Sequence, residues 1–437
     1  MADITIVGLG PGPAGFRTVA VQQALDTASH IYLRNHPGAD FVDLLERPNV
    51  TDVATFRYQG APSGRRWQAA AKAVVDGASS GPVVLAIPGH ARFGEMLTIE
   101  TMREADARGL SVEVLDGISM IDLLSTALDI DPVLRRVQLM DGRSVSRGQD
   151  EAPFDGGRFA ATPRHPMLIT HVYDNAIMRP LAAQLSRTLP QDHMLTLVSD
   201  AGLPGQSMES ITLAGLAEHP GGPMLAIYVP PLEDLDATRD PRTLQHIVAR
   251  LRRPDGCPWD RKQDHTTLRD SIIDEAYEVL DAIDAGDSAN LAEELGDLIL
   301  LVMMHAQIAE EAGTFTLEDV YDTVSRKIIR RHPHVFGDMS AEDAGDVIGL
   351  WQQVKAQEKA DQPAKPEKAA DGQPHSMPAL TRATRVLKEH PLAQDRPPST
   401  SEERSQALLA AVADLVAHGE DPETVLRQAL VNHATNL

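Results

Sequence analysis

Residues 271–280 read SIIDEAYEVL and residues 291–300 read LAEELGDLIL. Each stretch has the apolar spacing of a helix, and each carries two acids three positions apart. Glu275 and Glu278 stand among Ile272, Ile273, Val279 and Leu280; Glu294 and Asp297 stand among Leu291, Leu295, Leu298 and Leu301. Residues three apart project from one side of a helix, so each stretch presents a two-pronged acid face. The polar, glycine-containing DAGDSAN (284–290) between them predicts a tight turn and an antiparallel helical hairpin that brings the two faces together. Four carboxylates converging beside apolar surface repel one another unless a cation neutralises them. Oxygen ligands without thiolates favour Mg²⁺ or Mn²⁺. Mg²⁺ completes its shell with water and substrate phosphates, so the pattern points to a metal-dependent site for a phosphate compound. The competing reading is a pair of solvated acidic faces. It is weakened because the pattern occurs twice and no Lys or Arg stands four residues on from either pair.

Basic residues follow. KIIRR (327–331) places Lys327 and Arg331 on one helical face, and WQQVK (351–355) does the same for Trp351 and Lys355. Cations so spaced suit phosphates, and an indole suits a base or ribose. A solvated basic face with one anchoring Trp remains the plain alternative. His332 and His334 read as part of a turn.

The stretches GCPWDRKQDHTTLRDSIIDEAYEVLDAI, LAEELGDLILLVMMHAQIAEEAGTF and KIIRRHPHVFGD together resemble the MazG nucleoside triphosphate pyrophosphohydrolases over about residues 244–360. The resemblance implies an all-α bundle that assembles as a homo-oligomer. It implies hydrolysis of (d)NTP to (d)NMP and pyrophosphate with Mg²⁺, in the service of nucleotide-pool housecleaning. It also implies that Glu275, Glu278, Glu294 and Asp297 hold the metal and carry the catalysis, and that Trp259, Lys327, Arg331, Trp351 and Lys355 lie on the substrate side. The first acid of the family's EExxE motif is Asp274 here.

Ahead of this region the texture is different. Strand-like runs at 4–10, 82–89, 111–117, 167–173, 194–200 and 224–230 are separated in part by helical patterns at 65–78 and 94–108. That alternation predicts an α/β domain with a substantially parallel sheet over residues 1–231. GLGPGPAG (8–15) is a glycine-rich strand–helix turn, but Pro13 stands where a dinucleotide fingerprint needs its third glycine. With IPGHARFGE (87–95), VEVLDGISMID (112–122) and LITHVYD (168–174), it resembles the two-lobed tetrapyrrole methylases. The resemblance implies S-adenosylmethionine binding by Gly8, Gly10 and Gly12, by Pro88, Gly89 and His90, and by Gly117, Ile118 and Ser119. The fusion of both regions resembles the YabN-like bifunctional proteins of bacteria.

The remaining segments are a linker at 232–243, a polar, proline-bearing stretch at 361–377, and a helical tail at 378–437. The tail resembles a degenerate second MazG copy, with Gln406 where the ELGD aspartate would stand. In the tail, DPETVLRQAL (421–430) predicts a helix capped by Asp421 with Pro422 at its first position.

Composition sets the outer bounds. The 437 residues suit two or three domains, and a formal charge of −23 argues against a nucleic-acid polymer or an anionic membrane surface as partner. The single cysteine, Cys257, excludes an intrachain disulfide and suits a reducing compartment. The amino terminus lacks the pattern of a secretion signal, and no apolar run is long enough to span a bilayer, so the expected location is cytoplasmic. Two other functions fit the same residues. One is a methyltransferase for a small molecule with a regulatory helical domain. The other is a nucleotide sensor without catalysis.

Overall fold

The structure, a computed structural model, describes residues 2–36, 40–53, 66–147, 161–361, 377–378 and 400–435. The chain divides into two compact units, Met1–Leu317 and Glu318–Leu437. The division falls inside the region 244–360, so the acid-bearing hairpin belongs to the first unit and the basic residues to the second.

The first unit begins with a five-stranded sheet. Its strands are β1 (Ile4–Gly8), β2 (Ile31–Leu33), β3 (Val50–Asp52), β4 (Val83–Ile87) and β5 (Val112–Leu115), in the order β3-β2-β4-β1-β5. Every pairing is parallel. Short runs such as ITIVG and VVLAI are apolar on both faces because helices cover both. Val74, Val75 and Leu97, on the helices Arg66–Ala78 and Met96–Ala107, pack against Ile4, Ile6, Leu85 and Ile87. On the other face, Val21 and Leu25 of the helix Val19–Thr27 pack against Val7, Leu33 and Ala86.

The second sheet departs from the expectation of parallel pairing. Its strands are β6 (Gln138–Asp141), β7 (Met167–Thr170), β8 (Met194–Ser199), β9 (Ser207–Thr212) and β10 (Leu225–Val229), in the order β6-β7-β10-β8-β9. Only β6 and β7 run parallel; the other pairs are antiparallel. The reason is local. Seven residues, Asp200–Gln206, join β8 to β9 along one sheet edge, too few for a crossover helix. The helix Asn175–Leu185 covers one face through Met178, Leu181 and Leu185, and Leu124 of the helix Met120–Leu128 covers the other.

Residues 232–243 are packed rather than loose. Leu232 N–H donates to the Pro163 carbonyl at 2.8 Å, Ala237 is fully buried, and Asp240 caps the helix Pro241–Arg252. The helical hairpin then follows as Arg269–Ala285 and Ser288–Glu311. Gly286 ends the first helix at φ 67°, and the Asp287 carboxylate accepts from the N–H groups of Ala289 and Asn290 at 3.0 and 3.1 Å to start the second. Val248, Leu268, Leu301, Met304 and Leu317 form the core that holds these helices.

In the second unit, the helices Ala344–Asp361, Ser401–Ala417 and Pro422–Thr435 are described. Asp421 caps the last of these, accepting from Thr424 N–H at 3.1 Å, with Pro422 at the first helical position as the sequence predicts. The stretch at 361–377 and the first part of the tail lie largely outside the described residues. No helix among the described residues is long and apolar enough to cross a membrane.

Candidate functional site

The hairpin brings three of the four expected acids together. Glu275, Glu278 and Glu294 each offer a carboxylate oxygen, and the three oxygens lie within 4.8 Å of one another. Glu294 is the most buried, at 8% exposure. Asp297 stands outside that trio, yet its charge reaches both Glu275 and Glu294. Desolvation first, and then the charge of Asp297, Glu278 and Asp274, pushes the Glu275 carboxyl above the ordinary carboxylate range. Glu294 is raised in the same way, by desolvation and then by Glu278. The charges that raise these two groups are those of other acids. A hard-oxygen trio, two of whose members resist ionising, is the donor set a divalent cation suits.

Trp259 lies before the short 3₁₀ turn Asp260–Lys262 and is 63% exposed. In the second unit, Lys327 and Arg331 share the helix Leu317–Arg331. Arg331 is tied: its Nε and Nη2 lie 3.2 and 2.7 Å from the Glu358 carboxylate, and its guanidinium stacks 5.0 Å from the centre of the Trp351 ring. Arg331, then Arg330, holds the Glu358 carboxyl down at about 2. The backbone of Lys355 lies in the helix Ala344–Asp361, while its side chain is outside the described residues. His332 Nδ1 bonds to the Ile328 carbonyl at 2.7 Å, consistent with a role in the turn.

A second site lies at the carboxyl ends of β1, β4 and β5, where ligands of parallel sheets are held. The three glycine loops converge there. Gly10 and Gly89 exchange backbone hydrogen bonds at 3.2 and 2.7 Å. A Cβ on Gly117 would come within 2.3 Å of the Gly8 carbonyl oxygen, so this approach excludes any side chain. Gly89 has φ +70°, and a Cβ there would stand in open space, which leaves its backbone accessible to a ligand. Gly12 also has positive φ. His90 accepts from Arg92 N–H through Nδ1 and faces Asp116 through Nε2 at 3.3 Å, tying the second loop to the third. Ile118 precedes Ser119, and Ser119 closes a capping box with Asp122, so its hydroxyl serves the helix Met120–Leu128.

These loops open into a cleft of about 880 Å³, open solvent included. Pro88, Gly89 and His90 line one side, and Met120, Thr170, His171, Tyr173 and Met224 line others. Sequence reasoning missed the polar residues here. Arg34 pairs with the buried Glu95 at 3.0 Å and lies over the Trp67 ring at 5.2 Å. Burial raises the Glu95 carboxyl, opposed by Arg34. The available signal was positional: Arg34, His171 and Tyr173 all follow the ends of strands.

Residues 263–336 match the MazG nucleotide pyrophosphohydrolase domain, and residues 3–217 match the tetrapyrrole (corrin/porphyrin) methylases. Over 390 residues the chain is 32% identical to the uncharacterized protein YabN of Bacillus subtilis (strain 168), covering 88% of this chain and 76% of that protein. The chain belongs to the YabN-like family. It joins a tetrapyrrole methylase-type domain to a MazG domain. Its MazG part is 45% identical over 143 residues to the nucleoside triphosphate pyrophosphohydrolase of Escherichia coli (strain K12), covering 32% of this chain and 54% of that enzyme. It is also 39% identical over 212 residues to the nucleoside triphosphate pyrophosphohydrolase/pyrophosphatase MazG of Thermotoga maritima, covering 43% of this chain and 79% of that protein. The match thus spans about half the length of the Escherichia coli enzyme. The carboxylate trio lies wholly within the matched MazG segment.

Proposed function

We propose that this YabN-like protein is a nucleoside triphosphate pyrophosphohydrolase that converts (d)NTP to (d)NMP and pyrophosphate. The observation that carries the reading is the trio Glu275, Glu278 and Glu294, gathered within 4.8 Å on a MazG-type hairpin. These residues, with Asp297 beside them, would hold Mg²⁺ or Mn²⁺. A bound divalent ion supplies charge compensation for the phosphates and makes a water more acidic. Water adds at the α-phosphorus, the bond to the β-phosphate oxygen breaks, and a carboxylate of this group takes the water's proton. By the MazG resemblance alone, Lys327, Arg331 and Lys355 would offset charge on pyrophosphate, and Trp259 and Trp351 would offer faces to a nucleoside. The working form is a homo-oligomer in a cytoplasmic, reducing setting. Tyr277, Leu280 and Ile283 on the first hairpin helix are 50%, 53% and 53% exposed, and Ile299 on the second is 51% exposed. Exposed apolar side chains of this kind suit burial against a second copy of the chain.

The test is pyrophosphate release from a panel of NTPs and dNTPs, with Mg²⁺ and with EDTA, on wild type and Glu278→Gln. Metal-dependent release that falls about a hundredfold or more in the variant supports the reading. Release from no nucleotide, or an unchanged rate in the variant, overturns it.

A second reading rests on the glycine loops: the amino-terminal lobes bind S-adenosylmethionine, with the hairpin as a regulatory or sensing part. The open face of Gly89 beside the close-packed Gly8 and Gly117 favours cofactor binding there. Calorimetry with S-adenosylmethionine tests it.

A further inference from the structure

The floor of the interlobe cleft carries polar groups that nucleotide hydrolysis does not use. His171 directly follows β7 and has a φ of +60°, a conformation that residues other than glycine rarely adopt. Such backbone clusters at functional sites, because the surrounding structure must hold it in place. The ring is seated against Gly94 of the other lobe, where a Cβ would come within 2.4 Å of His171 Cε1. A glycine is therefore required opposite this histidine.

Two contacts favour one tautomer. The Thr170 hydroxyl donates to the Met140 carbonyl at 3.4 Å, and the same oxygen lies 3.1 Å from His171 Nδ1. With Nδ1 carrying the hydrogen, the Thr170 oxygen accepts from it while its own hydrogen faces the carbonyl. Asp141 Oδ1, 3.7 Å from the same nitrogen, favours that form too. Nε2 is left with its lone pair, on a ring that lines the cleft.

The charges around it are compensated. Arg34 is paired with Glu95 at 3.0 Å, and Arg143 with Asp141 at 2.6 Å. Burial, then Arg143, lowers the His171 pKa to about 4, so the ring is uncharged at neutral pH. Burial also raises the Tyr173 hydroxyl, which stays protonated. A polyanion would have to displace one of the carboxylates, whereas a neutral hydrogen-bond donor would not.

We propose that this floor is a binding pocket for a small uncharged molecule that gives an N–H or O–H to His171 Nε2, with Thr170 and Asp141 as positioning residues that fix the ring. Amines in their neutral form, amides, alcohols and phenols are the ligand class. Pro88, Gly89 and His90 line the same cleft, so the ligand's heteroatom shares a chamber with the glycine loops. The pocket is separate from the carboxylate hairpin and stands or falls independently of nucleotide hydrolysis.

The test uses the full-length protein labelled with ¹⁵N-histidine. His171→Asn identifies the resonance, because asparagine tolerates left-handed backbone better than most residues. Phenol, anisole and benzoate serve as probes of matched size: a donor, a non-donor and an anion. In wild type at pH 7, the His171 ring is expected to show an unprotonated Nε2 that phenol shifts saturably. Anisole and benzoate should bind about tenfold more weakly, the worth of one hydrogen bond. Thr170→Val, nearly isosteric, should leave the fold intact, mix the two tautomers and weaken phenol binding. A protonated Nε2 in wild type, a ring that phenol does not shift, or benzoate binding tighter than phenol would each overturn the proposal.

Discussion

Glu278 on one helix of the hairpin faces Glu294 on the other, with carboxylate oxygens within 4.8 Å, and the charge of Glu278 raises the Glu294 carboxyl. Glu294 is raised above the ordinary range, so its protonated form is favoured in the folded chain. Metal-free stability from this group is therefore greatest at acid pH and declines as pH rises through the raised pKa. A divalent ion removes that penalty. Mg²⁺ at about a hundred times its Kd should add ~2.7 kcal/mol to the folded state at neutral pH. In Glu278→Gln the metal-free protein should be more stable than wild type and the Mg²⁺ effect should shrink. Thermal unfolding with Mg²⁺ and with EDTA at pH 5 and pH 8 checks this. An equal Mg²⁺ shift in both proteins would remove the trio as the binding site.

Gly117 and Gly8 give a prediction for the other site. A methyl group at position 117 would stand 2.3 Å from the Gly8 carbonyl oxygen and 2.6 Å from that of Gly89. All three neighbours are backbone, so relief requires the loops to separate. Gly117→Ala should cost about 1–3 kcal/mol and abolish S-adenosylmethionine binding. Gly109→Ala, where a Cβ meets nothing but φ is +68°, is the control: a strain cost without loss of binding. Calorimetry on both variants decides between a cofactor cradle and tight turns alone.

These two sites differ in how far the sequence revealed them. The acid pairs were visible because i, i+3 spacing and a short polar turn suffice to bring three of the four together. The runs at 4–10, 82–89 and 111–117 each contain a strand, since an apolar β-branched run is itself the signal. Strands β2 and β3, three residues each, are too short to show a period, and β9 (SMESIT) is polar and largely exposed. The antiparallel half of the second sheet was missed because strand spacing does not report direction. His171 was unreadable for a different reason. Its state depends on Gly94 and Met140, which stand 77 and 31 positions away, and on a backbone angle no motif encodes.

Arg331 and Glu358 bear on the proposed hydrolysis. The Nε/Nη2 edge of the guanidinium is taken by Glu358, which leaves the Nη1/Nη2 end to face a phosphate. Glu358 therefore competes with substrate for the edge that binds oxyanions best. Glu358→Gln should lower KM several-fold with kcat little changed, and Arg331→Lys should raise KM because lysine can neither fork nor stack in the same way. Steady-state kinetics on both variants is the check. A higher KM in Glu358→Gln would mean that the carboxylate holds Arg331 in its working position instead.

Asp240 ties the second lobe to the helices that follow. It is 2% exposed; Thr162 Oγ1 donates to it at 2.7 Å, and the Arg242 N–H and Nε both donate at 3.0 Å. Asp240→Ala removes a helix cap, worth about 1 kcal/mol, and leaves the Thr162 hydroxyl unpaired at a further cost of about 1–2 kcal/mol. Asp240→Asn keeps an acceptor for the Arg242 N–H, while the Thr162 hydroxyl must turn to accept from the new amide, so it should lose about half as much. Urea unfolding followed by far-UV circular dichroism measures the difference. A loss below about 0.5 kcal/mol in the alanine variant would show that this junction contributes little.

His171 makes the stability of the amino-terminal lobes depend on pH. Its pKa is about 4, lowered by burial first and then by Arg143, with Arg34 and His36 acting in the same direction and Asp141 opposing them. The ordinary value is 6.5, so the unfolded chain takes up this proton before the folded one does. The contribution is therefore complete above about pH 6.5 and is lost as pH falls toward 4. Between pH 7 and pH 5 the loss from this one group is roughly 2 kcal/mol. His171→Asn removes a titrating group without forcing a new backbone conformation, so its stability should change less over the same interval. Urea unfolding of both proteins at pH 7 and pH 5 gives the two differences. If they are equal, His171 is protonated as readily in the folded chain as in the unfolded one, and the ring is not the buried, neutral acceptor that the Thr170 hydrogen bond describes.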